Sequence, residues 1–299
     1  MHSVLLAFGV LCAYLVGCAP ALADRRDVFL ATPEGGQIAA TLDRPDGQPA
    51  PVVLLLHGFG GDRHEMTVAG SEKGVFEHLA EALRKAGLAS LRIDFRGVGE
   101  SSGAFVDTTV GRQIEDAWLA VDWLAASDLV DGDRMAVLGW SQGGLVAAHL
   151  AANKPDLRSV TLWAPVISPA RTAPRQLGAR AYEVALASKP NRVITSYLPW
   201  GKEVRLRARF YQEAALYSSA GAIAHFPGPL HVVAARADTV IVPPVQSARS
   251  LLSAHRGPQN LTIVAADHVW NGLEGPDTLR VEVIPPTVSY ILEGLAALN

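Results

Sequence analysis

Cysteine is nearly absent from this 299-residue chain: Cys12 and Cys18 are the only two, both near the N-terminus. The body from Asp24 onward has none, which excludes a disulfide framework, a thiol nucleophile and a thiolate metal site there. Charge is scarce too. Charged residues make up 18%, against roughly 25% in an average soluble domain, and 26 Lys+Arg against 29 Asp+Glu leave a formal charge of −3. With 49% hydrophobic residues, this composition excludes a disordered chain. The slightly acidic balance offers no phosphate footprint, so nucleic acid is not an expected partner. Beyond the N-terminal segment no apolar run approaches the roughly 20 residues of a membrane span. There are no internal repeats, and the length fits one large domain or two small ones.

The N-terminus differs from the rest. Val4 to Val16 is apolar and carries no Lys, Arg, Asp or Glu, and it leads to the small residues Ala21-Leu22-Ala23. That organisation predicts a signal peptide over residues 1–23 and an exported protein, periplasmic or secreted. Leu15-Val16-Gly17-Cys18 also resembles a bacterial lipobox, in which Cys18 is lipidated. The alternative expectation is therefore an outer-membrane lipoprotein with a lipid anchor at Cys18.

From Asp27 the pattern alternates short apolar runs with helical periodicity. Val28–Ala31 and Gln37–Leu42, separated by Pro33-Glu34-Gly35-Gly36, predict an antiparallel hairpin. Further strands are expected over Val52–Leu56, Leu88–Ile93, Met135–Leu138, Val160–Trp163, Leu230–Ala235 and Leu261–Ala265. Helices are expected around Val75–Gly87, Ile114–Ala125, Leu145–Ala152, Val245–Ala254 and Val288–Leu298. Repeated strand-helix-strand units imply an α/β fold with a mostly parallel sheet and helices on both faces. One interruption, from about Val166 to Phe226, shows no strand-like run and predicts a small helical unit of its own. It holds nine basic residues and three acidic ones, read first as solvated charge on exposed helix faces.

Gly139-Trp140-Ser141-Gln142-Gly143 lies directly after an apolar strand and directly before a helix. That is the context of a nucleophile elbow, where small flanking residues permit a tight turn and the helix N-terminus favours developing negative charge. Gly99-Glu100-Ser101-Ser102-Gly103 matches the same pattern, but it follows a turn-rich loop and no helix starts at it, so it predicts a structural loop. A serine needs a base, and the base an orienting acid, which in the elbow architecture follow in the order Ser, Asp or Glu, His. Asp238 follows the strand ending at Ala235 and His268 the strand ending at Ala265, both at the C-terminal ends of parallel strands, where α/β sheets carry their sites. The other eight histidines lack that late, post-strand position and read as surface or packing residues. Asp267 neighbours His268 but projects elsewhere, and Asp94 precedes the serine. An oxyanion hole needs two backbone N–H groups. Gln142, after the nucleophile, supplies one; His57-Gly58-Phe59-Gly60-Gly61, after an early strand, supplies the other at Phe59.

From about Asp27 to Leu298 the chain resembles the α/β-hydrolase superfamily, and within it the bacterial cinnamoyl (feruloyl) esterases and dienelactone-hydrolase-like esterases. The motifs that carry the resemblance are His57-Gly58-Phe59-Gly60-Gly61, Asp94-Phe95-Arg96-Gly97-Val98-Gly99-Glu100-Ser101, Gly139-Trp140-Ser141-Gln142-Gly143-Gly144, Asp238 with Pro243, and Asp267-His268. The resemblance implies one hydrolase domain over 24–299 and Ser141 as nucleophile. It likewise implies His268 as base, Asp238 as its orienter, and Phe59 and Gln142 as oxyanion donors. It also implies that the insert at about 166–226 is a helical lid. The chain departs from the family at Ala234-Ala235-Arg236-Ala237-Asp238, where members commonly carry a Gly shortly before the acid.

The leading expectation is an exported serine hydrolase of small carboxylic esters, acting through an acyl-enzyme on Ser141 without metal or organic cofactor. The same machinery serves a thioesterase, a peptidase or amidase, or an acyltransferase. A non-catalytic binding module is the third class, opposed by the intact set of catalytic residue types.

Overall fold

The computed structural model describes residues 24–296. The signal-peptide and Cys18 lipidation expectations fall on residues 1–23, outside that range, as do the last residues of the helix expected to reach Leu298.

The chain opens with β1 (Asp24–Ala31) and β2 (Gln37–Arg44), an antiparallel pair that brings Leu30 opposite Ile38. Gly35 turns between them at φ 83°, a left-handed conformation that costs glycine little. Then come β3 (Pro51–Leu56), α1 (Val75–Lys85), β4 (Ala89–Ile93), α2 (Val110–Ala125), β5 (Asp131–Trp140), α3 (Gln142–Asn153) and β6 (Ser159–Trp163). The next segment holds α4 (Pro169–Leu177), α5 (Ala179–Leu186), β7 (Val193–Tyr197), β8 (Glu203–Arg207), α6 (Ala208–Glu213) and α7 (Ser219–Ile223). The chain closes with β9 (Leu230–Ala235), α8 (Pro244–Ala254), β10 (Gln259–Val264) and α9 (Ile284–Ala296).

Eight strands form one sheet in the order β1-β2-β4-β3-β5-β6-β9-β10. β1 and β2 run antiparallel to their neighbours and the rest are parallel. Period two along β3 splits its side chains between two cores. Val52, Leu54 and Leu56 join α2, α3 and α8 residues such as Ala117, Val146 and Leu251 on one face. Val53 and Leu55 join α1 and α9 residues such as Phe76, Leu79 and Ile291 on the other. The continuous apolar run is therefore two interleaved stripes, as a strand covered on both faces requires.

Observed elements exceed the expected ones where polar residues disguise them. α2 begins at Val110 rather than Ile114, because the Thr109 hydroxyl caps it by accepting the Arg112 N–H at 3.2 Å. The insert was expected to lack strands, and the structure corrects this: β7 and β8 form an antiparallel hairpin. Its burial alternates, with Ile194, Ser196, Val204 and Leu206 inward and Val193, Thr195, Tyr197, Glu203 and Arg205 outward. Charged and hydroxyl residues on the outer face hide that alternation from a reading that looks for apolar runs. The insert packs a third core from Leu177, Ile194, Leu206, Phe210 and Tyr211, with Phe59 and Phe105 against it.

Candidate active site

The parallel strands deliver four loops to one edge of the sheet: 57–65 after β3, Ser141 after β5, Asp238 after β9 and His268 after β10. Ser141 sits between β5 and α3 at φ 54° and ψ −113°, a strained conformation for a residue with a Cβ. The residues two before it and two after it must be glycine. A Cβ at Gly139 would lie 2.1 Å from the Gly143 oxygen, and one at Gly143 would lie 2.0 Å from the Leu56 oxygen. The turn is pinned by Ser141 N–H donating to the Trp163 oxygen at 2.8 Å and by the Ser141 oxygen accepting from Val166 at 2.9 Å.

The structure brings Ser141, His268 and Asp238 together. His268 Nε2 lies 3.0 Å from Ser141 Oγ, and its Nδ1 lies 2.7 Å from Asp238 Oδ2. The other carboxylate oxygen of Asp238 accepts the N–H groups of Val240 and Ile241 at 2.7 and 2.9 Å, so the buried acid is oriented at both ends. An ionised Asp238 accepts a hydrogen bond from Nδ1–H, which leaves the Nε2 lone pair facing the serine hydroxyl. Asp267 instead accepts Val269 and Asn271 N–H groups within its own loop, and its side chain serves that turn. The second Gly-x-Ser-x-Gly copy is likewise a loop fastener: Ser101 Oγ donates to the Asp94 oxygen at 2.7 Å and accepts the Ala39 N–H at 2.8 Å. Asp94 is fully buried and paired with Arg63, which in turn reaches Glu100.

Phe59 and Gln142 flank Ser141 from the loop after β3 and the first residue of α3. Among the described residues neither backbone N–H donates to a protein group. The Gln142 side chain is buried and donates to Gln113 Oε1 at 2.6 Å. Two residues that sequence reasoning passed over belong to this loop. His57 is buried, and burial pushes its imidazole below the ordinary range; its Nδ1 meets the Gly58 oxygen at 2.8 Å. Glu65, half-buried, accepts the Gly58 N–H at 2.5 Å. Their only sequence signal was position: one directly before and one shortly after the glycine-rich stretch.

A cavity of about 750 Å³ opens over Ser141 and His268, walled by Ala173, Leu177, Phe210 and Leu273. Phe59, Leu198 and Trp200 also line a second space of about 760 Å³, whose charged lining is mixed: Asp62 and Glu203 with Lys202 and Arg205. Of the aromatic residues in the insert, Phe210 and Trp200 line the cavity. Tyr211 is core, bonded to Ser196 at 2.6 Å, and Tyr197 is exposed. Trp140 lines the cavity beside Ser141 and packs against Phe76 and Trp270. Among the described residues no group of three His, Cys, Asp or Glu is placed to hold a metal ion, and no helix is long and apolar enough to cross a membrane.

A family model described as alpha/beta hydrolase fold matches residues 51–195. An uncharacterised 31.7 kDa protein of Escherichia coli, from the traX-finO intergenic region, is 32% identical over 108 residues, which are 36% of this chain and 35% of that one. The chain thus spans about a third of that relative's length. Est1E from Butyrivibrio proteoclasticus, solved with ferulic acid bound, superposes with a TM-score of 0.69 at 20% identity, over 90% of this chain and 99% of that one. Dienelactone hydrolase from Anabaena variabilis does so with a TM-score of 0.58 at 18% identity, over 91% and 98%. The eight-stranded sheet, the strained serine turn after β5 and these likenesses make the chain a protein of the α/β-hydrolase fold.

Proposed function

We propose that the protein is a serine hydrolase of carboxylic esters, acting through an acyl-enzyme on Ser141. The observation that carries this reading is His268 standing within hydrogen-bond reach of both Ser141 Oγ and Asp238, with two unspent backbone N–H groups flanking the serine. A serine alone is a weak nucleophile; a base in that position takes its proton as the new bond forms.

In this reading Ser141 Oγ bonds to the acyl carbon while its proton passes to His268 Nε2. The Phe59 and Gln142 N–H groups receive the oxyanion. His268 then gives the proton to the leaving alcohol oxygen, the ester C–O bond breaks, and the acyl group stays on Ser141. Water repeats the sequence, losing its proton to His268 and releasing the acid. Asp238 remains ionised throughout and holds the imidazole in one tautomer. The apolar wall of Ala173, Leu177 and Phe210 suits an apolar acyl group, and the insert that supplies it acts as a lid. Export rests on the Val4–Val16 segment and the Ala21–Ala23 site, and is checked by fractionating cells that make the full chain.

The first experiment is hydrolysis of p-nitrophenyl acetate, butyrate and octanoate beside Ser141→Ala. Turnover that vanishes in the variant supports the acyl-enzyme. A folded protein that turns over none of the three overturns the ester reading and moves attention to thioester, amide or acyl-transfer substrates.

A further inference from the structure

Glu65 has no part in the reaction as just described, yet its carboxyl group lies against the loop that the reaction depends on. Its backbone is left-handed at φ 60°, uncommon for a residue with a side chain, and is held there by Glu65 N–H donating to the Asp62 oxygen at 3.0 Å. That turn folds the side chain back over the glycines. Oε1 accepts the Gly58 N–H at 2.5 Å. A Cβ on Gly61 would lie 2.6 Å from Oε2, so the carboxyl rests in a cradle that only glycine leaves open. A Cβ on Gly58 would lie 3.3 Å from Glu65 Oε1 and 3.5 Å from Ser141 Cβ, which sets the carboxyl and the serine on the same side of the loop. Glu65 lines the same cavity as Ser141 and His268.

The charged groups around it give no compensation. Arg63 is spent on Asp94 and Glu100, and His64 faces Arg92 and Glu77. Asp62 adds negative charge, and its carboxylate caps its own turn at His64 and Glu65. His268 stands across the cavity and is engaged with Asp238 and Ser141. His57, behind the loop, is kept neutral by burial. Among the described residues no cation pairs with Glu65.

We propose that Glu65 is a positioning residue that holds the oxyanion loop through Gly58 and must carry its proton for the site to work. The neutral acid accepts from Gly58 through one oxygen and presents an O–H to the cavity. A carboxylate in the same place would set a full negative charge beside the N–H groups that receive the oxyanion, opposing the charge that develops there. Burial, opposed by the Gly58 N–H bond and reinforced by Asp62, pushes this carboxyl up to about 8, so the neutral form prevails at neutral pH.

The proposal rests on Ser141 being the nucleophile, so its test uses a substrate-independent readout: the rate at which a fluorophosphonate labels Ser141 in the full chain, measured against pH. In the wild type the rate should fall at least about fivefold between about pH 7 and about pH 10 as Glu65 ionises. In Glu65→Gln, which keeps the acceptor and cannot ionise, it should stay level within about twofold over the same range. A 13C titration of the Glu65 side-chain carboxyl gives an independent arm, with a midpoint expected above neutrality. Labelling with identical pH profiles in both proteins, or a carboxyl midpoint in the ordinary glutamate range, overturns the Glu65 proposal alone. Absence of labelling in the folded wild type overturns the reading of Ser141 and this proposal with it.

Discussion

His57 and Phe95 are joined by a hydrogen bond that settles which imidazole nitrogen carries the proton. The Phe95 backbone N–H donates to His57 Nε2 at 3.1 Å, so the proton resides on Nδ1 and is donated to the Gly58 oxygen at 2.8 Å. The same oxygen accepts the Gly61 N–H at 3.2 Å. With its carbonyl held from two sides, the planar Gly58–Phe59 peptide is restrained against rotation, and in the proposed reaction that fixes the direction of the Phe59 N–H, which lies opposite the carbonyl.

Removing the imidazole should therefore cost more rate than affinity. His57→Ala frees the Gly58–Phe59 peptide and leaves the Phe95 N–H unpaired in the core. The expected loss in kcat is about 10²-fold, comparable to losing one oxyanion donor, with KM moved much less. The unpaired buried group should also cost about 1–3 kcal/mol of stability. Steady-state kinetics on p-nitrophenyl butyrate, with a urea titration alongside, checks both. An unchanged kcat in a folded His57→Ala protein would contradict the account of the loop.

Asp238→Asn tests the orientation of His268 rather than its presence. The Val240 and Ile241 N–H groups require an acceptor at Oδ1, so the amide oxygen stays there and the new NH₂ faces His268 Nδ1. That inverts the tautomer and turns an N–H toward Ser141, where a lone pair is needed. The expected fall in kcat is about 10⁴-fold, with the urea midpoint little changed. A fall of less than about tenfold would mean that the acid does not govern the tautomer.

What the sequence disclosed follows from how strongly each feature constrains local chemistry. Gly139, Ser141 and Gly143 are legible because the turn tolerates no Cβ two residues to either side of the serine, and β3 because a strand buried on both faces needs an unbroken apolar run. The order of Ser141, Asp238 and His268 along the chain follows from the topology of parallel strands. The β7–β8 hairpin was illegible because only alternate positions are buried and charged or hydroxyl residues occupy most of the others. His57 acts through two backbone contacts and Glu65 through one, and contacts so few leave no periodicity to read.

The insert should divide into residues that hold it together and residues that only shape the entrance. Phe210 is buried, lies 5.6 Å from Phe59 between ring centres, and lines the cavity, whereas Trp200 lines the same cavity but is 67% exposed. Phe210→Ala should cost about 3 kcal/mol or more and raise KM for octanoate more than for acetate. Trp200→Ala should leave the urea midpoint within error of wild type and raise KM for octanoate by about tenfold or less, roughly 1 kcal/mol of lost apolar contact. Equal stability losses in the two variants would contradict this division.

Acid should unfold the protein through its buried histidines. His231 in β9 is fully buried; its Nε2 bonds Thr262 Oγ1 at 2.9 Å, its Nδ1 has no partner, and the ring packs 5.0 Å from that of Tyr290. Burial pushes it down to about 4 from the ordinary 6.5. The unfolded chain therefore binds a proton near pH 6.5 that the folded chain refuses until about pH 4, so stability present above the first value is lost as pH falls toward the second. The shift corresponds to about 3 kcal/mol across that window. Burial lowers His57, His149 and His255 as well, so they push in the same direction. His231→Gln, whose amide can still meet Thr262, should lose about 3 kcal/mol less than wild type between about pH 7 and about pH 4, read from urea midpoints at each pH. Parallel losses in the two proteins would show that the His231 proton is not what acid works against.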